Sequence, residues 1–163
     1  MAVFWNDLDD FLVNLFQTEM GVNGNYTTLK AVTVNKRIYA NQMEWPYWNL
    51  PAISVACHTI RYGTGEHGVG AGKRYARTYQ CIAVGLVSGL SGTTGENIKD
   101  FYERMELVIR IQPVTVSVNG VITRGTTTIT QGYVTEQMYT DDSTGSEKRI
   151  GIANIRFEVE AKG

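Results

Sequence analysis

Residues 63–74 read GTGEHGVGAGKR, with glycine at 63, 65, 68, 70 and 72. What the chain does on leaving these glycines decides the fold. The spacing Gly63-x-Gly65-x-x-Gly68 fits a dinucleotide fingerprint, and Gly72-Lys73 has the look of a P-loop; either would turn a strand into a helix whose N-terminus faces a phosphate. Residues 74–87, RYARTYQCIAVGLV, instead place Ile82, Val84 and Leu86 at a period of two, which is a strand pattern. Upstream, Ile53, Val55 and Cys57 alternate in the same way after Pro51. A helix begun at Gly68 would have to absorb Gly70 and Gly72 at about 1 kcal/mol each. The P-loop fails on identity: the motif's first glycine falls on His67, and Arg74 stands where Ser or Thr is required. The glycines therefore join strand to strand, and residues 63–74 are read as the tip of a long β-hairpin.

Outward from this hairpin lie two helices. In NDLDDFLVNLFQTEMG, Leu8, Phe11, Leu12, Leu15, Phe16 and Met20 share one face at spacings of three and four. Asn6 suits the N-cap, Asp7, Asp9 and Asp10 suit the positive end of the dipole, and Gly21 suits the stop. A second helix is expected over about residues 96–111, with Ile98, Phe101, Met105, Val108 and Ile109 as its stripe. Thr93-x-x-Glu96 has capping-box spacing, and Pro113 ends the segment.

After that helix, Val116, Val118, Asn119-Gly120, Val121 and Ile122 predict a hairpin with a type I′ turn. A second strand pair, residues 133–140 and 149–160, is joined by the polar DDSTGSEK. In the last strand Ile150 and Ile152 are out of step with Ile155, Phe157 and Val159, which predicts a bulge near Ala153 and Asn154. YTTLKAVTV suggests a further strand, and NQMEWPYWNLP gathers Trp45, Tyr47 and Trp48 around Pro46. No repeat or linker interrupts the chain, so residues 1–163 are read as one domain. The expected fold is α+β: two helices packed on one face of a curved, mostly antiparallel sheet with a long β-hairpin arm.

Composition excludes several functional classes. The 163 residues are 43% apolar and 19% charged with a formal charge of −1, values of an ordinary globular chain without the basic excess of a phosphate-gripping protein. No apolar run approaches the roughly 20 residues needed to span a bilayer. With two cysteines and no signal-like segment, the chain is expected in the cytosol without a disulfide scaffold. Cys57 and Cys81 are read as small core residues, neighbours across the sheet, rather than as a nucleophile or redox pair. His58 and His67 are the sole histidines and show no metal-ligand spacing, and strand alternation points Cys57 and His58 to opposite faces. No Gly-x-Ser-x-Gly elbow or calcium loop occurs. No enzyme, cofactor or metal is expected.

Charge placement carries more information than charge total. The first 20 residues hold Asp7, Asp9, Asp10 and Glu19 and no Lys or Arg, whereas residues 61–77 hold Arg61, Lys73, Arg74 and Arg77 against Glu66. Both segments could be plain solvated faces. A sharper reading is a head-to-tail interface in which an acidic helix meets a basic arm. Trp45, Tyr47 and Trp48 are further candidates for partner contact, the alternative being that they close the domain's own core.

The order of these elements resembles the tail terminator and tail-completion proteins of long-tailed bacteriophages. The resemblance lies in the N-terminal amphipathic helix, the strand opening LPAISV, the hairpin into YARTYQCIAVGLV, the helix ENIKDFYERMELVIRI and the C-terminal hairpins ending IANIRFEVEAKG. It implies a structural virion protein, a hexameric ring that caps the tail tube and meets the head connector, with DNA passing transiently through the lumen. Its implied partners are copies of itself, the tail tube protein and the head connector or stopper. Its implied location is the virion tail or neck, and the host cytoplasm during assembly. Alternatives are another neck, connector or head-completion ring, or a small monomeric ligand-binding module.

Overall fold

The structure, a computed structural model, describes residues 5–21, 24, 33–36, 51–67, 74–88, 98–111, 114–118, 121–140, 145 and 147–162. Helix α1 spans Trp5–Met20, strand β1 Thr33–Lys36, β2 Ala52–His67 and β3 Arg74–Ser88; α2 spans Ile98–Ile111, β4 Val114–Val118, β5 Val121–Thr140 and β6 Glu147–Lys162. The strands form a six-stranded sheet in the order β1-β2-β3-β6-β5-β4. β1 runs parallel to β2 and every other neighbour is antiparallel. The fold is α+β, as the periodicities predict.

One face of the sheet meets both helices. Ile53, Val55 and Cys57 on β2, Tyr79, Cys81, Ala83 and Val87 on β3, and Ala153, Ile155, Phe157 and Val159 on β6 form a single buried cluster with Leu8, Leu12 and Phe16 of α1 and Phe101, Met105 and Val108 of α2. Small residues make room for α2. A Cβ on Gly85 would overlap the Phe101 ring and the Met105 sulfur, so at this point the helix rests directly on strand backbone.

The sheet bends along one line. In β2 the register shifts between Cys57 and Thr59, leaving His58 as the extra residue, and in β5 it shifts between Ile129 and Gln131, leaving Thr130 extra. Both interruptions touch the same row, since Cys57 pairs with Cys81, Cys81 with Phe157 and Phe157 with Ile129. Bulges bend a strand and increase its local twist, and two on one row fold the sheet across its width. β1 and β4, at opposite ends of the strand order, consequently both come against α1.

Three expectations are corrected. β6 has no bulge at Ala153 and Asn154; through those residues its register with β3 and β5 is continuous. Ile150 is buried on the face away from the helices while Ile155, Phe157 and Val159 are buried on the helix face, so two-sided burial produced the phase change. The segments read as separate strands around residues 121 and 133 are one 20-residue strand, β5. Helix α1 starts at Trp5, which places Asn6 inside its first turn instead of at its cap. Thr93, Glu96, Pro113, Asn119 and Gly120 lie outside the described residues, although the pairing of Val118 with Val121 agrees with a two-residue hairpin connection.

Candidate subunit interface

β2 and β3 stay paired beyond the end of β6. The last β3 residue matched to β6 is Arg77, opposite Ala161, yet β2 and β3 remain in register out to His67 opposite Arg74. The glycine-rich stretch thus begins within a strand, with Gly63 and Gly65 in β2 at its second irregularity, between Tyr62 and Glu66. Glycine fits there because strand interiors tolerate it chiefly at bulges and sharp bends.

The arm's charges divide between its two faces. Arg61 pairs in register with Thr78, and its guanidinium lies 3.4 Å from the Glu158 carboxylate on β6. Gln80 donates to the other oxygen of Glu158, also at 3.4 Å. Arg77, on the opposite face, stands 5.7 Å from the centre of the Tyr62 ring, within cation–π range. An ion pair as exposed as Arg61–Glu158 contributes about 0–1 kcal/mol, so Arg61 remains open to exchange partners. Arg74 is placed by its backbone at the far end of the paired arm. Lys73, Trp45, Tyr47 and Trp48 lie outside the described residues.

The acidic helix sits at the root of this arm. Asp9 is only 7% exposed, and one of its carboxylate oxygens accepts the Cys57 backbone N–H at 2.8 Å. The Trp5 indole N–H donates to the carbonyl of the same Cys57. Among the described residues β1 pairs with β2 as far as Val55, and two residues further on α1 takes up the backbone groups of Cys57. Asp9 therefore serves the chain's own fold and is withdrawn from the surface offered to a partner. Asp7, partly buried, and Asp10, exposed, keep their acidic charge near the surface. Sequence reasoning missed Trp5 altogether. Its signal was the spacing Trp5, Asp9, Leu12, Phe16, which puts both residues on the apolar stripe.

Cys57 and Cys81, neighbours across the sheet as expected, are joined by a disulfide. They are small buried core residues, as expected, but the preference for that reading over a redox pair is corrected by the bond. Both are buried, so the link lies inside the bend, directly beneath the arm. On the face away from the helices, the two bulges border an open hollow of about 230 Å³ lined by His58, Gln80, Thr130, Gln131, Arg156 and Glu158. The Thr130 hydroxyl donates to the Arg156 carbonyl at 3.2 Å, and a 2.8 Å bond joins His58 Nδ1 and the Thr59 hydroxyl. Two strand bulges created this polar cluster, and alternation alone had no means of placing it.

Among the described residues no group of three or more His, Cys, Asp or Glu side chains is arranged to hold a metal ion, and no helix is long and apolar enough to cross a membrane. Comparison with protein-family models and with curated proteins gave no match.

Proposed function

We propose that the chain is a structural subunit of a ring at a phage tail-to-head junction, capping the tail tube and joining it to the head connector. The supporting observation is the β2–β3 arm, which continues past the β6 end of the sheet; the likeness to tail-completion proteins itself rests on the sequence resemblance. An arm of this kind reaches a neighbour while the body keeps its own core. Ring assembly needs no catalytic group; burial between subunits supplies affinity, and the charged rims set register. Six copies and a neighbouring tail tube are the partners this reading implies, with DNA sliding through a lumen lined by a near-neutral chain.

Native mass spectrometry with negative-stain imaging of the full chain, alone and mixed with tail tubes, tests the proposal. Closed rings are expected. A strict monomer at high concentration and in the presence of tubes would overturn it. The polar hollow between the bulges favours one other reading, a small monomeric ligand-binding module; that reading requires a monomer whose melting temperature rises with a small polar ligand.

A further inference from the structure

The two long edges of the sheet are finished differently. On β2, Asp9 and Trp5 of α1 take up the Cys57 amide and carbonyl just beyond the end of β1. On β5, β4 pairs only with the segment from Val121 to Gly125, and no described strand pairs with the outer edge of residues 126–140. Sheet proteins blunt such an edge with Lys, Pro, inward-pointing charge or a covering element. Residues 126–140, TTTITQGYVTEQMYT, contain no Lys, Arg or Pro and a single charge, Glu136. Their threonines, Ile129, Tyr133 and Val134 are types that suit a strand with neighbours on both sides. Tyr133 on the face away from the helices is 45% exposed, and Met138 on the helix face is 52% exposed. The edge has the composition of an inner strand.

We propose that this β5 edge takes strand β2, residues 59–67, from a second copy of the chain, so that the sheet runs on from subunit to subunit. β2 offers the matching half: past Val55 its outer edge has no strand partner among the described residues, and Cys57 is already held by α1. Charge agrees as well. The docking segment carries Arg61 and Glu66, and the adjoining β3 adds Arg74 and Arg77, so the arm is basic on balance, whereas the β5 stretch carries only a carboxylate. The acids of α1 sit at the root of the same copy's arm, which leaves β5 as the surface that complements a neighbour's arm. Two different edges meet, so the contact is heterologous, the kind that gives a ring where its rotation closes. Main-chain hydrogen bonds supply the attachment and side-chain fit fixes the register. This inference rests on the ring reading and names its interface.

Hydrogen–deuterium exchange of the full chain, read by mass spectrometry beside native mass spectrometry over a concentration series, tests it. Peptides covering residues 59–67 and 126–140 should gain protection together as the oligomer forms. The double variant Thr128→Lys, Thr135→Lys, changed at two exposed positions, should stay folded by circular dichroism and lose the oligomer. Rings that form without protection of those peptides, or a folded double variant that still closes rings, would overturn the edge pairing and leave the ring proposal standing. A chain that stays monomeric at every concentration would overturn both.

Discussion

Asp9 is the residue on which the start of the fold turns. Its carboxylate meets a backbone N–H at an edge of β2 that no described strand covers, and removing the acceptor leaves that buried donor unpaired at a cost of about 1–3 kcal/mol. Asp9→Ala should lower stability by that amount in urea denaturation, and Asp9→Asn, which keeps an acceptor, by less. Equal losses in the two variants would mean that the hydrogen bond contributes nothing. Tyr102 gives a prediction in pH. Burial, then the Glu106 carboxylate, raises its hydroxyl above the ordinary value of 10.0, with Arg110 pulling the other way. A folded-state value above the unfolded one means that the folded protein holds the proton longer. The contribution is full below about pH 10 and is lost as pH rises through the folded value. Melting temperature measured from pH 8 to pH 11 should fall more steeply in the wild type than in Tyr102→Phe; parallel curves would contradict the assignment.

At the scale of elements, α2 owes its position to the absence of a side chain. Gly85→Val would push Phe101 and Met105 off β3, and overpacking of this kind costs about 1–3 kcal/mol or more. A guanidinium denaturation midpoint unchanged from wild type would show that the helix can rise without loss. The ion pairs Arg104–Asp100 at 3.0 Å and Arg110–Glu106 at 2.9 Å follow i,i+4 spacing on this helix. Each supports the exposed face by a few tenths of a kcal/mol. The β2–β3 hairpin is held by a covalent link as well as by pairing. Cys57 and Cys81 are 24 residues apart in sequence, and closing a loop of that size stabilises a fold by about 3 kcal/mol through the unfolded chain. Reduction with a dithiol should lower the urea midpoint correspondingly. Two alkylatable thiols in the untreated denatured protein, or identical midpoints with and without reductant, would remove the bond from the account.

For the whole molecule, the curl of the sheet around α1 and the reach of the arm together shape the proposed ring subunit. Changing Gly63 and Gly65 to alanine narrows the backbone freedom of β2 where its register slips. Ring assembly should weaken while the monomer's melting temperature stays near wild type, because Gly63 and Gly65 lie beyond the last core row, Ile60–Tyr79–Val159. Native mass spectrometry of the folded variant is the check, and undiminished rings would take arm flexibility out of the mechanism.

What the sequence determined by itself was local. Period two on both sides of GTGEHGVGAGKR required a hairpin, and spacings of three and four required α1 and α2, because these patterns state which face of an isolated element is apolar. The burial of Leu8, Leu12, Phe16, Phe101 and Met105 follows from those patterns. Tertiary structure decided the rest. Whether an acidic residue lies on the surface depends on which backbone group faces it across 48 positions of chain, and Asp9 faces an amide at the end of an interrupted edge. Whether Ile150 and Ile152 signal a bulge depends on burial of the second face, which no single strand can report. The bend at His58 and Thr130 depends on two distant strands slipping on one row. Each of these is a relation between segments far apart in the chain, and only the packed sheet brings them together.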